Sequence, residues 1–226
     1  MLVDVFEVRS AIESNSLVPC FQPTYELRTG RLNGFEVLAR WQHPRLGLFL
    51  PENFIAVAEE NGLIGQLGNQ ILRKAFLSAP MLPEPLVLAV NVSPIQLQAS
   101  NLANQIHKAA EAAGFSLKRL VVEITESALV TNPLSAQKIA IELKSLGCRL
   151  ALDDFGTGYS SLRHLQALPF DELKIDRSFV QSMTSERESR KIVASVVGLG
   201  YSLWTDHRRR RRRNRGTGGY APVVWM

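Results

Sequence analysis

Six polar residues interrupt otherwise apolar segments of this sequence. Glu36 follows Gly34-Phe35, Asn91 sits near the end of LVLAVNV and Glu123 lies in RLVVEIT, while Asp153 and Asp154 close RLALDD and Lys174 lies in ELKID. Carboxylates beside an amide oxygen form a hard oxygen-donor set that suits Mg²⁺ or Mn²⁺ better than Zn²⁺. Acids gathered without a cation repel one another and drive their pKa values up. One divalent ion removes that cost, and so does a pair of ions sharing Asp153. Two ions about 3.5–4 Å apart are a common device for hydrolysing a phosphodiester. Taken singly, each acid is as well explained as an ion-pair partner or a helix cap. Taken together, their equivalent places near strand ends point to metal-assisted hydrolysis, and both readings stay open on these residues alone.

The elements that must position them are short apolar runs alternating with longer helical patterns. Strands are predicted at 17–25, 33–41, 86–92, 119–125, 148–154 and 171–176. Most are nearly continuous in Val, Leu, Ile and Ala, as strands covered on both faces of a parallel sheet are. Helical patterns lie at about 53–77, 95–113, 133–146, 158–167 and 178–199. Pro51 precedes an acidic first turn, Asn132-Pro133 opens a helix and Gly147 closes it. This alternation implies βαβ units and an α/β fold, either a doubly wound sheet or a (β/α) barrel. In a barrel, the carboxyl ends of the strands form the active face, so the six polar residues converge there. The first two strands leave no room for a helix and should form an antiparallel hairpin around Arg28-Thr29-Gly30. Two more strands would be needed to close an eight-stranded barrel, and residues 204–226 supply no clear ones.

The chain has 226 residues, 46% of them apolar, which suits a domain with a true core and excludes a disordered chain. Its formal charge of +5 suggests a polyanion partner. The distribution removes that suggestion: without the seven arginines and one aspartate of 204–226, nineteen basic and twenty acidic groups remain, a charge of −1. Nucleic acid is therefore not an expected partner, and the arginine run lacks interleaved aromatic residues. Cys20 and Cys148 stand far apart in apolar surroundings, as buried structural thiols do. No apolar run reaches membrane-spanning length and the N-terminus is acidic where a signal peptide is basic, so a cytoplasmic location is expected.

The motifs FQP at 21–23, GFEVLAR at 34–40, WQHP at 41–44, NVS at 91–93, EITES at 123–127, DDFGTGYSSL at 153–162 and LKIDRSFV at 173–180 resemble the EAL-domain family of bacterial phosphodiesterases, which linearise cyclic di-GMP. The signature is Glu36-Val37-Leu38 here, with valine in the alanine position. The resemblance spans about residues 5–203 and implies a TIM-like (β/α) barrel with an antiparallel first strand. It implies that Glu36, Asn91, Glu123 and Asp153 hold one metal ion and that Asp153 and Asp154 hold a second. It implies that Lys174 positions or helps deprotonate the attacking water, with Lys174, Asp154 and Glu36 as the catalytic set. Gln22, Arg40 and Asn91 would touch the substrate, the Arg40 guanidinium matching a phosphodiester. Glu126 would steady the loop at 156–161, a loop that also favours a homodimer. The implied activity is hydrolysis of cyclic di-GMP to linear pGpG. The alternatives are a domain that binds cyclic di-GMP without cleaving it, or a non-functional product.

After Leu203 the sequence departs from the family. Arg210 stands where the resemblance expects a further catalytic glutamate in Val-Ala-Glu-Gly-Val-Glu. Codons compatible with 204–216, read one nucleotide later, spell Gly-Leu-Thr-Thr-Val-Ala-Glu-Gly-Val-Glu-Thr-Glu-Ala. In that frame each first base is the middle base of an observed codon and so nearly fixed. The expectation is therefore a phosphodiesterase domain at 1–203, lacking its last two strands, followed by a basic, disordered, out-of-frame tail at 204–226. Such a chain should be poorly soluble and impaired in activity.

Overall fold

The computed structural model describes residues 3–26, 29–155, 168–211 and 223–224. Its centre is one twisted sheet. Strands β1 (Leu17–Tyr25) and β2 (Leu32–His43) are antiparallel, joined by a tight turn in which Gly30 takes a φ of +67° that a side chain would resist. A short β3 (Gly47–Phe49) folds back on the far end of β2. From β2 the sheet continues in parallel through β4 (Val87–Val92), β5 (Leu120–Thr125), β6 (Arg149–Phe155), β7 (Glu172–Ile175) and β8 (Val223–Val224). The arrangement is an incomplete TIM-like barrel: among the described residues no ladder joins β8 back to β1.

The helices are α1 (Val5–Glu13), α2 (Ile55–Glu60), α3 (Ile64–Ser78), α4 (Leu102–Ala112), α5 (Glu126–Thr131), α6 (Pro133–Ser145), α7 (Arg177–Ser182) and α8 (Arg187–Arg211). The strands' continuous apolar runs serve two unlike faces. Leu88, Val90, Leu120, Val122, Ile124, Leu150, Leu152, Leu173 and Ile175 point outward and join the main core beneath the helices. The apolar residues of the inward face are small, Val87, Ala89, Val121 and Ala151, in a cluster of their own. Gly34 belongs to that inner face. A Cβ there would drive into the Val87 carbonyl oxygen, so glycine lets β2 and β4 approach.

The structure corrects several expected boundaries. The pattern at 53–77 divides into a 3₁₀ turn at Pro51–Asn53, α2 and α3, because Gly62 at φ +68° ends the first helix. The pattern at 95–113 divides into a 3₁₀ turn at Gln96–Gln98 and α4. That at 178–199 becomes α7 and α8, separated near Ser185. Helix α6 has the expected start, with the Asn132 side chain accepting from the Ser135 N–H. The periodicity missed α1, whose capping box pairs Asp4 with Glu7, and the one-and-a-half-turn α5. The predicted helix at 158–167 and Arg28 of the hairpin turn lie outside the described residues.

Structure also enters the stretch expected to lack it. Helix α8 crosses position 204 and runs into the arginines as far as Arg211, and Val223–Val224 adds two residues to the sheet beside β7. Arginine is among the better helix formers, so a helix packed through Val193 and Val196 can propagate into such a run.

Candidate active site

The strand register brings the predicted site together. Gln22 lies opposite Glu36 across β1 and β2, Asn91 lies opposite Glu123 across β4 and β5, and Asp153 lies opposite Thr125 across β5 and β6. Side chains two residues apart share a face, so Glu36, Ala89, Asn91, Glu123, Ala151, Asp153 and Lys174 all look into the barrel. Small residues below and acids above make this end of the barrel interior a polar chamber. Asp153 and Asp154 lie near the end of β6, and Glu36 lies near the end of the stretch of β2 that pairs with β4, so these acids meet toward the carboxyl end of the sheet.

Lys174 is the centre of this chamber. Its Nζ donates to Glu123 Oε2 at 2.7 Å and to Asp153 Oδ2 at 3.0 Å, and lies 3.5 Å from Glu36 Oε2. All four side chains are at least nine-tenths buried. Asn91 donates from Nδ2 to Glu36 Oε1 at 2.8 Å, which leaves its carbonyl oxygen available. One ammonium thus faces three carboxylates, and the excess negative charge governs the protons. Burial raises the Glu123 carboxyl to about 8; Glu36 and Asp153 add to the rise and Lys174 moderates it. Burial alone would lower Lys174, but Glu123, Asp153 and Glu36 together hold it above its ordinary value. Both shifts express one tendency: the cluster retains protons because it is short of positive charge.

Asp154 stands beside Asp153 in the left-handed region at φ +56°, an unfavourable conformation for a non-glycine residue and one often found at functional sites. Its carboxyl is raised by burial and then by Asp153 and Asp176. Asp176 went unremarked in the sequence; it also caps α7 by accepting from the Ser178 N–H at 2.9 Å. Toward the other end of the strands, the half-buried Arg149 Nη1 and the buried Glu172 Oε1 pair at 3.0 Å, a second charge layer that no motif announced. Alternation along β6 and β7 would have revealed it, since 149, 151 and 153 share a face, as do 172 and 174.

The peripheral predictions divide. Gln22 is exposed on the face adjoining Glu36. Arg40 lies four residues beyond Glu36 on the same face of β2, its Nη1 donating to the Ala39 carbonyl at 2.8 Å. Glu126 is buried and opens α5, while its expected loop partner at 156–161 lies outside the described residues. Among the described residues no three acids, histidines or cysteines are grouped so as to hold a metal ion, and the Lys174 ammonium lies among Glu36, Glu123 and Asp153. The donor chemistry nonetheless fits a hard divalent ion. Every candidate ligand is oxygen, and Glu36 Oε2 is buried without a hydrogen-bond donor.

Fold and site together define an α/β barrel that gathers oxygen donors and one lysine at the carboxyl ends of its parallel strands. Residues 6–203 match the family model described as EAL domain, and the chain belongs to that family. An uncharacterized signaling protein of Caulobacter vibrioides is 46% identical over 197 residues, covering 87% of this chain and 24% of that protein. The cyclic di-GMP phosphodiesterase RocR of Pseudomonas aeruginosa is 37% identical over 205 residues, covering 89% of this chain and 52% of RocR. Among solved structures, the PaMucR phosphodiesterase in complex with c-di-GMP superposes with a TM-score of 0.83 at 34% identity, over 88% of this chain and 82% of that one. The chain spans about a quarter of the length of several of the curated relatives it matches. No helix among the described residues is long and apolar enough to cross a membrane.

Proposed function

We propose that this domain hydrolyses cyclic di-GMP to linear pGpG in bacterial second-messenger signalling within the cytoplasm. The observation that carries the reading is the convergence of Glu36, Asn91, Glu123 and Asp153 on one buried Lys174 at the carboxyl end of the sheet. The names of RocR and of the PaMucR complex supply the substrate class. Hydrolysis adds water across one phosphodiester: hydroxide goes to phosphorus and a proton to the leaving sugar oxygen.

Glu36, Asn91, Glu123 and Asp153 would hold one Mg²⁺ or Mn²⁺, with Asp153 and Asp154 toward a second. When bound, such ions supply Lewis-acid activation of water and neutralise charge on the phosphate. Lys174, held above its ordinary pKa, stays protonated at neutral pH. It therefore serves as a positively charged donor that orients water, and not as the base. Arg40 and Gln22, at the rim beside Glu36, hold the substrate's phosphate and polar edges. Glu126, at the start of α5, steadies the neighbouring loop and supports a homodimer.

Arg210 in place of the expected glutamate lowers the activity of this chain. The test is conversion of cyclic di-GMP to pGpG, followed by chromatography with Mg²⁺ or Mn²⁺. The chain is compared with a version whose residues from 204 are replaced by the one-nucleotide-shifted reading. Weak turnover by the first and clear turnover by the second is the expected result. Tight binding of cyclic di-GMP without turnover in the restored version overturns the catalytic reading in favour of a binding domain.

A further inference from the structure

Lys174 has only one cation's worth of charge and three donors, yet it faces the carboxylates of β2, β5 and β6 at once. Two of its N–H bonds reach Glu123 Oε2 and Asp153 Oδ2, while Glu36 Oε2, at 3.5 Å, receives no hydrogen bond. Asp154 acts on the same ammonium through space from the mouth side, and Glu172 from below. The backbone of Lys174 is fixed, since Leu173 and Ile175 on either side are buried in the outer core. Only the side chain can swing away from these carboxylates.

We propose that Lys174 is a resident cation that competes with the divalent metal for the same carboxylate oxygens. Metal entry then requires the ammonium to leave Glu123 and Asp153. The proposal rests on the metal-dependent reading above and concerns how this chain prepares its acids for the ion. Three buried carboxylates cannot stand together uncompensated, because each isolated buried charge is strongly unfavourable. Lys174 supplies the compensation that allows the barrel to fold around them. The same contacts lower metal affinity, since every ion bound must displace an ion pair already made. Lys174 thereby trades metal affinity for stability of the metal-free barrel.

The test is calorimetric titration of Mn²⁺ and Mg²⁺ into the full chain and into Lys174→Gln, with thermal midpoints in EDTA and in excess Mn²⁺. Competition predicts that Lys174→Gln binds Mn²⁺ about tenfold or more tighter, because a buried acid cluster without its counter-ion gains most from a new cation. It also predicts a lower midpoint in EDTA and a larger rise on adding Mn²⁺ than the parent shows. Equal or weaker binding by Lys174→Gln overturns the proposal while leaving metal dependence intact. Absence of binding by both proteins overturns the metal reading itself. Should Lys174→Gln not fold without metal, the parent chain suffices. The ¹⁵N ammonium resonance of Lys174, protected by burial, must shift on adding Mg²⁺, and an unmoved resonance at saturation overturns the displacement.

Discussion

The charge balance around Lys174 makes a counter-intuitive prediction: Glu36→Gln should stabilise the metal-free chain while impairing its chemistry. At an effective dielectric constant of about 20, the attraction between Glu36 Oε2 and Lys174 Nζ over 3.5 Å is about 4.7 kcal/mol. Since Glu123 and Asp153 also contact Nζ, their oxygens lie within about 6.2 and about 6.5 Å of Glu36 Oε2. Those limits set minimum repulsions of about 2.7 and about 2.6 kcal/mol, so repulsion exceeds attraction by at least about 0.5 kcal/mol. Desolvation of the buried carboxylate adds to the imbalance, whereas the Asn91 hydrogen bond survives in the amide. A net gain of about 1–2 kcal/mol follows from relieving such an uncompensated buried charge. The assay is urea unfolding in EDTA at about pH 9, above the Glu123 pKa of about 8, where Glu123 is ionised. Near neutral pH the gain shrinks, because Glu123 takes up a proton. Cyclic di-GMP hydrolysis by the same variant should fall about a hundredfold or more, as the loss of a ligand to the reacting centre does. A variant less stable than its parent under these conditions would refute the charge argument.

Two further outcomes follow from the same geometry. The folded-state pKa of Glu123 lies above its ordinary value of 4.5, so its contribution is fully present below that value and is lost as pH rises toward about 8. Lys174 is raised from an already alkaline value and contributes no slope in that window. Urea midpoints in EDTA should therefore decline between roughly pH 5 and 8, by up to about 1.4 kcal/mol per pH unit, and a flat profile would exclude a retained proton at Glu123. Gly34→Ala forces a Cβ onto the Val87 backbone and should destabilise by about 1–3 kcal/mol. It should also lower kcat by shifting Glu36 relative to Asn91; unchanged stability would show that β2 and β4 can separate without loss.

Much of the site could be read before any coordinates. Apolar strands broken by polar residues near their ends already placed Glu36, Asn91, Glu123, Asp153 and Lys174 together, because the carboxyl ends of parallel barrel strands form one face. The alternation of strands and helices and the hairpin at Gly30 were legible for the same local reason. Helix breaks were less so. Gly62 ends α2 inside a segment whose periodicity runs straight through it, and α1 depends on a capping box that hydrophobic spacing does not register.

What the sequence by itself determined is which groups are present and at which end of the strands they stand: oxygen donors and one lysine at the carboxyl ends of apolar strands. Only the tertiary structure decided how those charges settle among themselves. Spacing along the chain says nothing of the distance from residue 174 to residues 36, 123 and 153. Folding brings one ammonium within 3.5 Å of three buried carboxylates, and in so low a dielectric that distance turns four ionisable side chains into a single coupled unit.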